Sequence, residues 1–312
     1  MNFFYAALII PVYYSSFLFR ALRWKTILLQ SGNSTDKIKL PSFLSSIFKG
    51  WTISCFVPAR GGELYRVHSF GKKENISRIT LLASIVLERI FDGFILFLIL
   101  LLLSAFVYSS EKFFKVSVIA GIVFISAFSC LLLISKFYKN TFIQEKCSYL
   151  ILKIKEKNFI KNSLNKKICE ILSKVFNKIT GATISFMNGL ELFNSPVLIL
   201  KVLLFTIPVW LCEGLSLFLM IKGFGYSIGF LGALFVLSII AFVSLIPGGP
   251  ASLGPLQWGY IIALGFFNIS RETAFAISII YQLFATILIS LGGLFFITTE
   301  NLNLQKEKIL EN

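Results

Sequence analysis

Along the chain, long apolar runs alternate with short basic ones. The apolar runs lie near residues 3–20, 80–108, 114–135, 197–220, 228–247 and 273–298. Each reaches or approaches the roughly 20 residues that a helix needs to cross a hydrocarbon core of about 30 Å. Ile79 to Val107, for instance, is broken only by Glu88, Arg89 and Asp92. Backbone amides and carbonyls find no water in a bilayer, so the pattern predicts helices for all of these runs.

Two apolar stretches do not fit a simple crossing. Ser42 to Pro58 is only 17 residues long, contains Lys49 and Gly50, and has positive charge on both sides. That combination predicts a helix that enters and leaves on one face. The run Pro247-Gly248-Gly249-Pro250-Ala251-Ser252-Leu253-Gly254-Pro255 holds three prolines and three glycines, which no continuous helix accommodates. It is followed by a short element, Pro255 to Phe267, that either turns back or crosses. Broken backbone at membrane depth persists only when buried in protein or lining a wet cavity, and a pair of such interruptions points to a transporter site. The expected fold is therefore an all-α polytopic membrane protein with about six full transmembrane helices and two short re-entrant or half helices. It forms a single membrane domain over residues 1–300 with a short polar tail, 301–312.

Composition agrees: 56% of residues are hydrophobic, 14% are charged, and mean hydropathy is +0.81. A net charge of +15 would suggest nucleic acid in a soluble protein, but here the basic residues fall between the apolar runs. Such charges orient a membrane protein, with basic loops on the cytoplasmic side, so no nucleic-acid partner is expected. Between Lys136 and Lys178 there are 11 lysines against three glutamates. Loops 20–78 and 136–181 are predicted to face the cytoplasm of a multi-pass protein of the plasma or bacterial inner membrane. Within the second loop, Ile151, Ile154, Ile168, Ile171, Leu172 and Val175 recur at roughly helical spacing. This suggests amphipathic helices on the inner surface, serving as a solvated connector or as a lipid or partner site. The N-terminal run is followed by Arg20, Arg23 and Lys25, so it reads as a retained span and not as a signal peptide. Cys55, Cys130, Cys147, Cys169 and Cys212 show no C-x-x-C spacing, so neither a metal nor a disulfide framework is expected, and no cofactor motif occurs.

Three clusters carry candidate chemistry. In Pro58-Ala-Arg60-Gly-Gly-Glu63-Leu-Tyr-Arg66, a helix starting near Gly61 places Glu63 and Arg66 on one face with Arg60 at its mouth. Arginine forks match phosphate, so the cluster reads either as a lipid headgroup site or as a salt-bridged turn. Glu88, Arg89 and Asp92 lie about 13 Å into an apolar span at 1.5 Å per residue, where charges are costly. They form either a polar path for a headgroup or proton, or an ion-pair lock between helices. In the third cluster, Pro247, Gly248, Gly249, Pro250, Gly254, Pro255 and Gln257 form the broken element, and the helix beginning at Pro255 presents an anion-binding N-terminus. Glu213, alone in its span, is expected to pair with Arg60, Arg66 or Arg89 or to relay protons. His68, the single histidine, sits in a basic loop and is expected to be solvated.

The order of these motifs resembles the lysylphosphatidylglycerol synthase transmembrane region family, also described as flippase-like. The residues that carry the resemblance are Pro58, Arg60, Glu63 and Arg66; Glu88, Arg89 and Asp92; and Pro247, Pro250, Gly254 and Gln257. It extends from Leu22-Arg23-Trp24 to Gly292. The resemblance implies a bundle of about eight membrane elements, some re-entrant, that moves or presents a polar lipid. In larger members a separate soluble domain makes the aminoacylated lipid. With no non-membrane segment above about 50 residues, this chain is expected to lack that domain and not to be a synthase. Ala251 stands where glycine is common in the family, and Gln257 where an acid is frequent, which puts proton coupling at that position in doubt.

The function this suggests is binding and translocation of a polar or anionic lipid, either an aminoacylated phospholipid or a polyprenyl-phosphate-linked lipid. A separate lipid-modifying enzyme is a candidate partner. The alternative is a membrane-embedded glycosyl- or aminoacyl-transferase, with Glu88 or Asp92 as general base, or a subunit or scaffold of one.

Overall fold

The computed structural model describes residues 2–29, 37–57, 61–107, 195–246 and 248–310, with scattered positions between 111 and 129. The 136–181 loop and half of the 114–135 span lie outside the described residues, as do Pro58, Ala59, Arg60 and Pro247. Among the described residues all regular structure is helical. The helices are α1 (Phe3–Leu29), α2 (Leu40–Phe56), α3 (Gly61–Lys73), α4 (Arg78–Leu102), α5 (Pro196–Gly223), α6 (Gly229–Val243), α7 (Pro255–Gly265) and α8 (Arg271–Leu310). Among the described residues, three stretches are long and apolar enough to cross a membrane: α1, α5 and the Arg271–Glu300 part of α8. Helix α4 has 25 residues but carries Glu88, Arg89 and Asp92 within its apolar run.

The first span does not stop at residue 20. It runs to Leu29, so Arg20 and Arg23 are helical and buried, not loop charges. Two more helical turns cost little here, because each arginine meets a carboxylate on a neighbouring helix. Helix α5 packs antiparallel along α1, joined at one end by the Asn2 N–H donating to the Gly223 carbonyl at 2.9 Å.

Helices α2 and α3 form a helical hairpin, of which the sequence predicted the first leg, Ser42 to Pro58, as a short element. At its open end the Ser42 hydroxyl donates to the Glu74 carboxylate, and Lys25 Nζ donates to the Ile38 carbonyl at 3.0 Å. Both legs therefore begin and finish beside the C-terminal end of α1. Phe48 stacks on Phe17 with centroids 4.3 Å apart, and Trp51 lies 6.0 Å from the same ring. The six residues after Trp51, ending at Val57, carry the chain about 9 Å further, whereas α1 continues about 21 Å beyond Phe17 to Phe3. The α2 leg thus ends partway along α1. Its legs touch at Gly50 and Gly62, where a Cβ on Gly62 would overlap the Gly50 carbonyl oxygen and crowd Ser54.

The 228–247 run, expected to span, instead forms one leg of a second hairpin. Helix α6 has 15 residues, about 22 Å at the standard rise, and stops where the glycine and proline run begins. Helix α7 returns along it: Gly259 packs on Val243, and Phe235 meets Phe266 and Phe267 edge-on at 5.8 and 6.3 Å. Pro255 to Phe267 therefore turns back and does not cross. This hairpin opens beside the N-terminal end of α1, where Tyr226 and Thr273 hydroxyls lie 3.4 Å apart. The two hairpins enter from opposite ends, and their tips meet.

The Gly50–Gly62 contact generates a prediction. Gly62→Ala should lower stability by roughly 1–3 kcal/mol, the usual penalty of overpacking. Gly265→Ala, at a site with nothing within 4 Å of the added methyl, should leave the melting temperature in detergent unchanged or raised. Equal melting temperatures for wild type and Gly62→Ala would mean that the hairpin legs are not held in this contact.

Candidate functional site

Where α1, α3, α4 and α5 converge, charged side chains are matched one for one. Arg23 of α1 grips Asp92 of α4 with both terminal nitrogens, Nη1 to Oδ1 at 2.5 Å and Nη2 to Oδ2 at 3.3 Å. The Trp210 indole N–H of α5 donates to the same Oδ1 at 3.0 Å, and the Thr206 hydroxyl lies 3.5 Å from Arg23. Arg66 of α3 makes a second two-pronged pair with Glu88, both contacts at 3.1 Å. Its guanidinium lies 3.5 Å from the Trp24 ring centroid, and the Trp24 N–H donates to Ser84 at 2.9 Å. Arg20 contacts Glu213 at 3.1 Å, the Ser16 hydroxyl donates to the same oxygen at 3.0 Å, and Trp51 and Trp210 flank the guanidinium. Arg89 completes the set, 3.5 Å from Asp92 and 3.4 Å from Glu63.

Exposure divides this network. Arg23, Arg66, Glu88 and Asp92 have side chains no more than 5% exposed, whereas Arg89 and Glu63 are 31% and 30% exposed. Two-pronged pairing uses the terminal nitrogens, and the Nε–H groups of Arg20, Arg23, Arg66 and Arg89 stay buried without a hydrogen-bond partner among the described residues. The network is neutralised but not saturated with hydrogen bonds.

The sequence-predicted residues are thus partly assembled. Glu63, Arg66, Glu88, Arg89 and Asp92 do come together, and Arg89 pairs both with Asp92 at i,i+3 and with Glu63 on another helix. Arg66 is committed to Glu88, so in this conformation it closes the network and does not face a ligand. Glu213 pairs with Arg20 and not with Arg60, Arg66 or Arg89, because Arg20 lies opposite it on the antiparallel α1. Arg60 lies outside the described residues. Sequence reasoning missed Arg20, Arg23, Trp24 and Trp210. Ending the first span at its first arginine hid the i,i+3 spacing of Arg20 and Arg23, which places both on one helical face.

The broken element is separately bracketed. Ala251 and Ser252 adopt φ of 52° and 59°, and Gly254 a φ of 99° that side chains rarely tolerate. The left-handed Ala251 gives a physical reason why glycine suits that position. Gln257 accepts the Gly254 N–H at 2.7 Å and so takes up an amide at the start of α7. Its own amide donates to Gln282 of α8 at 2.5 Å, and Gln282 donates back to the Ala251 carbonyl at 2.6 Å. Gln282, a neutral residue in an apolar span, also escaped the sequence reading. Between this element and the tip of the first hairpin lies a pocket of about 380 Å³.

An all-helical bundle with long apolar helices packed around a buried ion network is a membrane-protein architecture. Residues 1–293 match the lysylphosphatidylglycerol synthase TM region, and the chain belongs to that family. A UPF0104 membrane protein of Methanocaldococcus jannaschii is 26% identical over 255 residues, which cover 80% of this chain and 95% of the relative. No solved structure matches the chain.

The two-pronged pairs generate the second prediction. Removing one partner of a buried pair leaves the other charge stranded, at a cost of about 3–5 kcal/mol. Asp92→Ala and Glu88→Ala should therefore unfold at clearly lower temperature, while Glu63→Ala, at the exposed edge, should cost at most about 1 kcal/mol. A double-mutant cycle on Arg66 and Glu88 checks the pairing: additive losses would show that the two do not interact.

Proposed function

We propose that the chain translocates a polar or anionic lipid across the membrane, with its headgroup passing between the hairpin tips and its acyl chains remaining in lipid. The observation that carries this reading is the tip-to-tip meeting of two re-entrant hairpins from opposite ends. Such an arrangement brings the irregular, hydrogen-bonding backbone of the second hairpin against the end of α2. The half-exposed Arg89–Glu63 pair offers a headgroup its first charged contact. Arg60, immediately before α3 in sequence, adds a second cation. An arriving phosphate would exchange with Glu63 for Arg89, while Arg66, Glu88, Arg23 and Asp92 hold the polar wall in place.

Lys25, Lys37, Lys39, Lys72, Lys73 and Arg78 all lie at the end of the bundle where α1 finishes. By the bias of basic residues toward the inner face, this end faces the cytoplasm of the plasma or inner membrane. The transferase alternative fits less well, because Glu88 and Asp92, its candidate bases, are each gripped by an arginine on two sides.

The test is reconstitution in vesicles containing lipids with fluorescent headgroups, followed by chemical bleaching of the outer leaflet. Wild type should expose the inner-leaflet lipid to bleaching. Arg60→Ala and Arg89→Ala should slow that exposure by about tenfold or more, the worth of roughly 1.4 kcal/mol of lost headgroup contact. Unaltered rates in both variants, with normal insertion, would sink the assignment; turnover of a donor substrate by wild type would move it to the transferase class.

A further inference from the structure

The pocket between the hairpin tips is unlike the ion network in chemistry. From the first hairpin it is lined by Trp51, Ser54 and Cys55, and from the second by Ser244, Gly249 and Ser252. Among the described residues no Asp, Glu, Lys, Arg or His lines it. Its volume of about 380 Å³ falls at the lower end of the roughly 300–1,000 Å³ common for small-molecule sites. Val57, Leu245 and Ile246, at its edge, are 43%, 54% and 56% exposed, which gives the polar floor an apolar rim. The floor supplies three hydroxyls, a thiol and an indole ring.

We infer that this pocket seats an uncharged, hydroxyl-bearing portion of a lipid headgroup, a glycerol or a sugar, with the acyl chains leaving over the Val57, Leu245 and Ile246 rim. The inference rests on the translocation reading and adds a substrate class to it. The Ser54 and Ser252 hydroxyls can both donate and accept, and Ser244, whose O–H goes to the Ala241 carbonyl at 2.7 Å, can accept, so the set matches a polyol, whose hydroxyls do the same. The Trp51 ring offers an apolar surface to the C–H face of a sugar or glycerol. A net charge placed on this floor would meet no counter-charge from the lining groups described, and bare charge at membrane depth costs several kcal/mol. Ion network and pocket therefore divide the work: the Arg89–Glu63 edge addresses headgroup charge, and the pocket addresses the hydroxylated remainder.

Cys55 provides the readout. With Cys130, Cys147, Cys169 and Cys212 replaced by alanine, Cys55 is the single thiol left, and its reaction with a small hydrophilic thiosulfonate reports access to the pocket. The protein is reconstituted in phosphatidylcholine vesicles doped with phosphatidylglycerol, with a glucosyl diacylglycerol or with phosphatidic acid, all of matched acyl chains. Phosphatidylglycerol, the glucosyl lipid or both should slow Cys55 modification by about tenfold, the effect of roughly 1.4 kcal/mol of hydroxyl contacts. Phosphatidic acid, which lacks those hydroxyls, should not. Protection by phosphatidylglycerol alone assigns a glycerol headgroup, and protection by the glucosyl lipid alone a sugar. Equal protection by all three lipids, or by none, overturns the inference. The bleaching assay run on the same vesicles separates the two readings: headgroup-independent Cys55 protection with intact lipid movement rejects the pocket assignment alone, and no movement of any lipid rejects the translocation reading.

Discussion

The cost of charge in hydrocarbon organises this bundle. An isolated charged side chain at the centre of a membrane helix costs on the order of 2.5–3.5 kcal/mol on insertion scales. Along α4 three such groups follow within five residues, and α1 and α5 add Arg20, Arg23 and Glu213. Each of these helices carries that cost alone, whereas together they match Arg20, Arg23, Arg66 and Arg89 against Glu63, Glu88, Asp92 and Glu213. Each pair joins different helices, apart from the internal Arg89–Asp92 contact, so pairing and helix assembly are one event. The rotation of α1, α4 and α5 about their axes follows: each must turn its charged positions toward the centre. Trp24 and Trp210 fill the gaps between the ion pairs, with a ring face against a guanidinium and an N–H on an acceptor.

A second constraint acts where the chain turns within the bundle. A turn exposes amides and carbonyls that a helix would have satisfied, and no water is at hand in lipid to replace them. The second hairpin meets this through Gln257 and Gln282, which between them serve the Gly254 N–H and the Ala251 carbonyl. The first hairpin brings its legs together through paired glycines, Gly50 and Gly62, in close backbone contact. Glycine does opposite things in the two hairpins, close approach in one and positive φ in the other.

What the sequence disclosed follows from the range of the physics involved. Apolar length is a local property, so the long helices, the re-entrant α2 and the broken run from Pro247 to Pro255 were readable along the chain. Charge within an apolar span is also local, which is why Glu63, Arg66, Glu88, Arg89, Asp92 and Glu213 stood out. Partner choice is not local. Arg20 and Arg23 looked like interfacial anchors because their carboxylates come from positions about 70 and 190 residues away, and a window along the chain carries no signal of them. The same applies to α6. Its 228–247 run is long enough to cross, and only the returning α7, which places Gly259 on Val243, shows it to be half of a hairpin. Gln282 escaped notice because one neutral amide in an apolar helix is unremarkable until its two partners are known.

The neutrality of the network bears directly on the proposed translocation. A site that binds a headgroup equally well throughout shifts no equilibrium, and one that binds it too tightly never releases it. Four unpaired arginines at this depth would hold an anionic lipid as a permanent ligand. Paired arginines do not, because each contact a phosphate gains displaces a carboxylate that must then be satisfied elsewhere. The Arg89 Nε–H, without a hydrogen-bond partner among the described residues, would offer an arriving phosphate a donor before the Arg89–Glu63 pair had fully parted. Exchange is easiest where solvation already competes with the ion pair, and that is the Arg89–Glu63 edge, the most exposed pair of the set. The interior pairs, closed on both prongs, keep the helices in register while the edge opens. On this view the same electrostatic matching that lets the helices enter the membrane also keeps the passage weakly binding, as a translocator requires.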